Sequence, residues 1–184
     1  RHTRYGTVTG VQTCALPIYN TKNNDNLIVG NQKVLTARLD DAKYFYETDI
    51  KTPLEARGAA LEKIIFHKDI GNMRQKSINT VILSKFIAVW VPDSHLADVE
   101  IAAKLIKMDL TTEMVSELPE LQGIMGYYYA LHEGLDTSVS LAIKEHYLPR
   151  GVQDDCPEQP ISVVISLRSE EHTSELQSQF RISY

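Results

Sequence analysis

The sequence predicts a mainly α-helical fold. Over most of the chain, apolar residues recur at spacings of three and four, which is the period of an amphipathic helix. Proline, glycine or a potential capping residue separates each such stretch from the next. The chain contains no repeat of fixed period and no low-complexity tract.

The first part of the chain predicts a loop and then two helices. Residues 19–26 are polar and rich in asparagine, as in a loop, and Leu27 to Val29 before Gly30 could be the end of a strand. An amphipathic helix is expected from Asn31, with apolar side chains at Val34, Leu35, Leu39, Ala42, Phe45 and Tyr46. We expect Pro53 to open a second helix with Thr52 as its cap. That helix would carry Leu54, Leu61, Ile64 and Ile65.

The middle of the chain predicts two longer helices. Residues 73–91 carry an apolar helical stripe that ends at Pro92, formed by Ile78, Val81, Ile82, Phe86, Ile87 and Trp90. Ser94 is expected to cap the next helix, whose apolar residues are Val99, Ile101, Ala102, Leu105 and Ile106.

Three shorter helices are expected to follow. Thr111 or Thr112 should start the first, and Gly134 should end the second. Asp136 or Thr137 should cap the third. Two glycines of the second helix region, three residues apart, favour close helix packing over phosphate binding, because they match no P-loop pattern.

The two ends of the chain are expected to be foreign to the protein. Residues 1–18 and 168–184 back-translate to opposite strands of one DNA oligonucleotide, which resembles a widely used short-read sequencing adapter. Such tails are set aside before the fold is considered. The native part is then expected to run from about residue 20 to 167, as an internal fragment of a longer gene. An apolar element at residues 161–167 would be cut off and leave apolar surface uncovered.

Charge and cysteine content limit the classes of function. Four of the 19 Lys and Arg and three of the 24 Asp and Glu lie in the two ends, so the native part has a formal charge of −6. This mild acidity argues against attraction to nucleic acid over the whole surface, although a local basic face stays open. Cys156 is the remaining cysteine, which excludes a disulfide framework. No apolar run approaches the roughly 20 residues of a membrane span, and the length suits one domain or one domain plus a piece of another.

Three stretches carry a resemblance to one family. They are GNQKVLTARLDDAKYFYETDIKTPLE at residues 30–55, DLTTEMVSELPELQGIMG at 109–126, and AIKEHYLPR at 142–150. In this order they resemble the beta subunit of the bacterial heterotetrameric glycyl-tRNA synthetase. The likeness extends over essentially all of residues 30–167.

The resemblance implies a domain division. Residues 19–70 would be the end of an upstream α/β module, similar to the editing-type module of phenylalanyl-tRNA synthetase, with connecting helices. Residues 71–150 would form a helical domain of the HD type, and residues 151–167 a loop and a truncated helix. The anticodon-binding region of the subunit would lie further along.

The resemblance also implies a role in the cytoplasmic attachment of glycine to its tRNA. The alpha subunit of this family carries the active site and uses ATP and Mg²⁺, so we expect no catalytic residue, metal or cofactor in this segment. The implied partners are the alpha subunit and tRNA(Gly). The segment alone is expected to be inactive.

Six basic residues are candidates for contact with the tRNA backbone, whose phosphates bind Lys and Arg. Lys104 and Lys107 are three residues apart and are expected to share one helix face; the other candidates are Lys33, Arg38, Lys43 and Lys51. Ordinary solvated surface charge is the alternative. Tyr127, Tyr128 and Tyr129 could stack on bases, but consecutive residues point in different directions around a helix, which favours packing.

A phosphohydrolase of the HD type is the alternative from another functional class. Such an enzyme holds a divalent metal through separated His and Asp residues that include an adjacent His-Asp pair. The candidate ligands in this chain are His67, Asp69, Asp109, His132 and His146. Met108 stands where the pair needs histidine, which favours a degenerate HD fold kept for RNA binding or as an interface. A plain helical interaction module is the third hypothesis.

Overall fold

The structure, a computed structural model, describes residues 24–67, 71–149, 151 and 154–168. It divides into two compact units, with the boundary between Asp40 and Asp41, inside helix α1 (Asn24–Asp49). Leu27 to Val29 are helical, so the strand end predicted there is wrong. The reason is energetic: β-branched residues cost only a fraction of a kcal/mol in a helix and Gly30 about 1 kcal/mol, which a helix of this length tolerates.

The second unit is a helical bundle with one antiparallel strand pair. Among the described residues its α-helices are α2 (Met73–Ala88), α3 (Leu96–Leu105), α4 (Glu113–Glu117), α5 (Ile124–His132), α6 (Thr137–Glu145) and α7 (Pro160–Arg168). The 3₁₀ helices are Glu55–Lys63, Met108–Thr111 and Pro119–Leu121. Strand β1 (Ile65–His67) pairs with β2 (Gly71–Asn72), with Ile65 opposite Asn72. The mainly helical fold is therefore confirmed.

Helices α3, α6 and α7 supply the centre of the core. Helix α7 packs against α2, α3 and α6. Its side chains Ile161, Val164 and Ile165 are buried, whereas Leu167 is exposed. Three apolar side chains of this element are therefore covered within the chain, whereas the last one is not. The other buried side chains of these helices are Val99, Ala102, Ala103, Leu105, Val139, Ser140, Ala142, Ile143 and Ser162.

Helix α2 turns its small side chains toward the core. Ser77, Thr80, Ser84 and Ala88 are buried along one face, and small residues allow the helix to approach α3 closely. The stripe of larger apolar side chains predicted from the sequence lies mostly on the other face, where Ile78, Ile82, Phe86 and Trp90 are exposed. Only Val81 and Ile87 of that stripe pack against the core of this unit.

Two predicted helix starts are wrong. The segment after Pro53 is a 3₁₀ helix, with Ala56 N bonded to Pro53 O and Arg57 N to Leu54 O, and the chain is already extended at Ile64. Ser94 does not cap α3. Its hydroxyl donates to the carbonyl oxygens of Ala88 and Val91 at 2.9 and 2.8 Å, so it satisfies the end of α2 instead.

Two predicted helix caps are confirmed. The Thr112 hydroxyl accepts a hydrogen bond from Val115 N at 3.3 Å and caps α4. The Asp136 carboxylate accepts from Ser138 N at 2.8 Å and caps α6. In both cases the side-chain oxygen takes an N–H that the first helical turn leaves unsatisfied.

Candidate functional site

A buried carboxylate joins α1 to the start of α4. Asp49 is 2% exposed, and its two oxygens accept hydrogen bonds from Glu113 N and Met114 N, both at 3.0 Å. The hydroxyl of Tyr129 donates to the same carboxylate at 2.9 Å. Because Thr112 already accepts from the third amide of α4, the first turn of that helix is fully satisfied.

Arg57, from the 3₁₀ helix Glu55–Lys63, completes this hydrogen-bonded cluster around Asp49. Its Nη2 lies 3.2 Å from Oδ1 of Asp49, and its guanidinium also donates to the carbonyl oxygens of Asp49, Thr52 and Thr111. Burial, followed by the hydrogen bond to Asp49, raises the pKa of the Tyr129 phenol, which therefore stays a neutral donor. The acceptor capacity of the carboxylate is used within the fold, so we assign this cluster a structural role.

A second buried carboxylate organises the segment 109–126. Asp109 is 1% exposed and accepts a hydrogen bond from Gly123 N. Burial raises the pKa of the Asp109 carboxyl, and the Gly123 N–H opposes part of that rise. Met108 before it is a core side chain. The position that a metal-binding His-Asp pair would need is therefore filled by an apolar residue and by a carboxylate committed to the backbone.

The two glycines of this segment permit close packing against α6 and its end. A Cβ at Gly126 would lie 2.8 Å from the Cγ2 methyl of Ile143. At Gly123, where φ is +79°, a Cβ would lie 2.9 Å from the Tyr147 ring. Real side chains do not come this near, which confirms the prediction that these glycines serve helix packing.

The candidate metal ligands are dispersed. His67 lies on exposed β1, and His132 ends α5 with its ring centre 6.4 Å from that of Tyr46. His146 is buried, and its Nδ1 is hydrogen-bonded to the carbonyl oxygen of Ile143. Asp69 lies outside the described residues. Within the described ranges, no three or more His, Cys, Asp or Glu side chains gather where they could hold a metal ion.

The expectation that Lys104 and Lys107 share a helix face is wrong. Helix α3 ends at Leu105, and Lys107 has a φ of +69°, which turns it out of the helical path. Its side chain is 6% exposed, and its Nζ lies 3.7 Å from the centre of the Tyr147 ring. Lys107 therefore takes part in a buried cation–π contact rather than in a basic surface.

The other candidate RNA contacts lie on the surface of one unit or the other. Lys33 and Arg38 are exposed in the first unit, and Lys43 and Lys51 in the second. Lys43 lies 3.9 Å from Glu47 in an exposed i,i+4 ion pair. Lys104 lies 3.0 Å from Glu100. Hydrogen bonds from Lys85 and Lys104 hold the pKa of Glu100 below its usual value, so Lys104 already has an anionic partner.

The three consecutive tyrosines differ in environment. Tyr129 is buried and stacks on Tyr46 with ring centres 5.7 Å apart. Tyr127 is half-buried and Tyr128 is exposed. The prediction that at least one of them is a core residue is confirmed.

Comparison with known proteins assigns the family. The glycyl-tRNA synthetase beta subunit family matches residues 13–182. The chain is 50% identical over 135 residues to the glycine–tRNA ligase beta subunit of Rickettsia felis, and 49% and 47% identical over the same length to those of Rickettsia canadensis and Rickettsia typhi. The chain belongs to the glycyl-tRNA synthetase beta subunit family. Each alignment covers 73% of this chain and 20% of the relative.

This beta-subunit chain spans about a fifth of the length of the curated relatives that it matches. Along the described residues, no helix is both long and apolar enough to cross a membrane.

The sequence did not predict the hydrogen-bonded cluster around Asp49. Its partners Glu113, Met114 and Tyr129 lie 64, 65 and 80 residues further along the chain. No local pattern predicts such contacts. The one signal in the sequence was that Asp49, an acidic residue, follows directly after the apolar stripe of α1. This position indicates the end of a helix but does not show which residues Asp49 contacts.

Proposed function

We propose that this chain is a segment of the beta subunit of a glycine–tRNA ligase and supports ATP-dependent attachment of glycine to tRNA(Gly) by binding tRNA and by subunit assembly. The match to beta subunits at 50% identity over 135 residues carries this proposal. Catalysis is assigned to the alpha subunit, with its ATP and Mg²⁺. The two buried carboxylates of this segment serve its fold, which agrees with a supporting role.

The activity is tested by exchanging the segment into a complete enzyme. The segment of the Rickettsia felis beta subunit that matches this chain is replaced by the chain's own sequence, and charging of tRNA(Gly) with labelled glycine is measured in the presence of the alpha subunit. We expect charging by the mixture and none by the 184-residue chain alone. Charging by the chain alone, or no need for any beta subunit, would overturn the proposed division of labour.

The tRNA contact is tested on the chain itself. We propose Lys43 and Lys51 as phosphate contacts in the second unit, because both are exposed and the ion pair of Lys43 with Glu47, at 3.9 Å, is longer than that of Lys104 with Glu100, at 3.0 Å. Lys43→Ala and Lys51→Ala should each weaken binding of labelled tRNA and lower the slope of log K against log salt by about 0.7–0.9 per lost contact. The matched control is Lys63→Ala, which removes the same charge from another exposed site.

If all three substitutions weaken tRNA binding equally, a specific contact at Lys43 and Lys51 is refuted. The binding would then be explained by general attraction between the charge of the chain and the tRNA. Lys33 and Arg38 form the corresponding proposal for the first unit and are tested in the same way. Loss of binding at these two positions only would place the tRNA on the first unit.

A further inference from the structure

The outer face of helix α2 is apolar along most of its length. Ile82 is 65% exposed, Phe86 66% and Val89 78%. Ile78 continues this face toward the start of the helix, and Trp90 continues it just past the end. Soluble proteins rarely leave contiguous apolar surface of this kind uncovered unless it is a contact site.

The charges beside this outer face are already paired within the chain. Lys85 and Lys104 both form ion pairs with Glu100. Arg74 lies 3.2 Å from Glu62. Because these pairs leave little unbalanced charge at the edge of the face, two identical faces can meet without strong repulsion. The same pairs give the face no preference for a charged partner.

The spacing of the large side chains makes the outer face of α2 complementary to itself. Ile78, Ile82 and Phe86 are separated by four residues each, so they form one row along the helix. If two α2 helices pack antiparallel with a two-fold axis at Ile82, each Phe86 lies opposite Ile78 of the other copy. Such a contact is isologous, because both copies use the same surface and exchange the same pair of residues.

A cavity lies beside the position that Phe86 of a second copy would reach. It has a volume of about 410 Å³, and its walls include Ile78, Ile82, Val81 and Leu61. Aromatic side chains that fill such pockets contribute most of the energy of protein contacts. A two-fold arrangement would bring one aromatic ring to this cavity in each copy.

The exposed area of this face is also of the size that a dimer needs. From the 150–250 Å² that an aromatic side chain can bury, Phe86 and Trp90 leave about 100–190 Å² each exposed. The aliphatic side chains Ile78, Ile82 and Val89 add to this area. The sum is on the order of the 800 Å² that each partner of a stable interface buries.

We infer that two copies of this chain associate through the outer faces of their α2 helices, antiparallel and with the two-fold axis at Ile82. A second copy supplies both elements that the face calls for, an apolar row of matching spacing and an aromatic side chain at the cavity. The inference goes beyond the proposed function and does not depend on it, because the contact involves neither tRNA nor the alpha subunit.

The association is tested by sedimentation equilibrium of the 184-residue chain at several concentrations, because a dimer forms by mass action. We expect a monomer–dimer equilibrium. Ile82→Glu places two carboxylates at the two-fold axis and should raise the dimer dissociation constant at least about 10-fold, since like charges in contact repel. The matched control is Ile65→Glu on β1, where the side chain is 83% exposed, and it should leave the constant unchanged. Circular dichroism shows that each variant is folded.

Single cysteines test the antiparallel arrangement, in chains with Cys14 and Cys156 changed to serine. Facing helices lie about 8–10 Å apart, which brings the two Cα atoms at position 82 close to the about 4.4–6.8 Å of a disulfide. Ile82→Cys should therefore form disulfide dimers on mild oxidation. Phe86→Cys should not, because its two copies would lie about 12 Å apart along the helix axis. A mixture of Ile78→Cys and Phe86→Cys should give the mixed dimer.

Four results would overturn the inference. The first is a chain that stays monomeric at every concentration. The second is a dimer that Ile82→Glu does not weaken more than Ile65→Glu does, which would place the contact elsewhere. The third is Phe86→Cys dimers as abundant as those of Ile82→Cys, which would show a parallel contact. The fourth is a monomeric chain whose cysteine at position 82 is protected from maleimide only in the Rickettsia felis exchange, which would assign the face to another part of the subunit.

Discussion

Replacement of Asp49 tests whether one buried carboxylate holds α1, the 3₁₀ helix Glu55–Lys63, α4 and α5 together. Asp49→Ala removes the acceptor of two backbone amides and of the Tyr129 hydroxyl, and leaves Arg57, whose side chain is 12% exposed, without its buried counter-ion. Removing one partner of a buried ion pair costs about 3–5 kcal/mol. Asp49→Asn keeps one acceptor oxygen, so we expect it to cost about 1–3 kcal/mol.

The assay is unfolding of the chain by urea, monitored by far-ultraviolet circular dichroism. The slope of the unfolding free energy against urea concentration should be the same for the native chain and each variant, which shows that the same states are compared. Asp136→Ala is the matched control, because Asp136 also caps a helix but is exposed, and we expect it to destabilise the chain less than Asp49→Ala does. A loss for Asp49→Ala no larger than that of the control would refute the reasoning, since it would mean that burial adds nothing to the role of Asp49.

Three further predictions concern packing and pH. Gly126→Ala should destabilise the fold by about 1–3 kcal/mol, because its Cβ would meet α6 at 2.8 Å, whereas Gly58→Ala, with its nearest neighbour at 3.5 Å, should change the unfolding free energy little. Leu61→Ala should cost about 2–5 kcal/mol, since Leu61 is fully buried, and Ile65→Ala at 83% exposure should cost far less in the same assay. The raised pKa of Asp109 means that the folded state holds this proton more tightly than the unfolded state does. The stability that the protonated Asp109 contributes is fully present below the unfolded pKa of about 4 and is lost as the pH rises through the folded pKa. In urea unfolding from pH 4 to 7, the unfolding free energy of the native chain should therefore fall relative to that of Asp109→Asn. A difference between the two that stays constant with pH would contradict this.

The features that the sequence predicted correctly depend on contacts close along the chain. Thr112 and Asp136 cap helices through amides two or three residues away. The spacing of Gly123 and Gly126 indicated close packing, and their neighbours Tyr147, just after α6, and Ile143, on α6, confirm it. The family resemblance, carried by three continuous stretches, is confirmed by the comparisons.

The features that the sequence could not predict depend on distant contacts or on single backbone angles. The direction of α2 is one of them, because its small and its large residues each form a helical stripe and only the position of α3 and α7 decides which stripe is buried. Lys107 is another, since one positive φ removes it from the surface. The tRNA contacts and the domain boundaries stay predictions.

The position of α7 in the chain has a consequence for synthesis. Helices α2 and α3 are translated early, yet the core that they share with α6 closes only when Val164 and Ile165 of α7 arrive. Until then a nascent chain leaves core surface open to chaperones and proteases. A product terminated before Pro160 would expose the same surface permanently and would be selected for degradation. Because of the order of the helices, this core can be buried only after translation has passed residue 165.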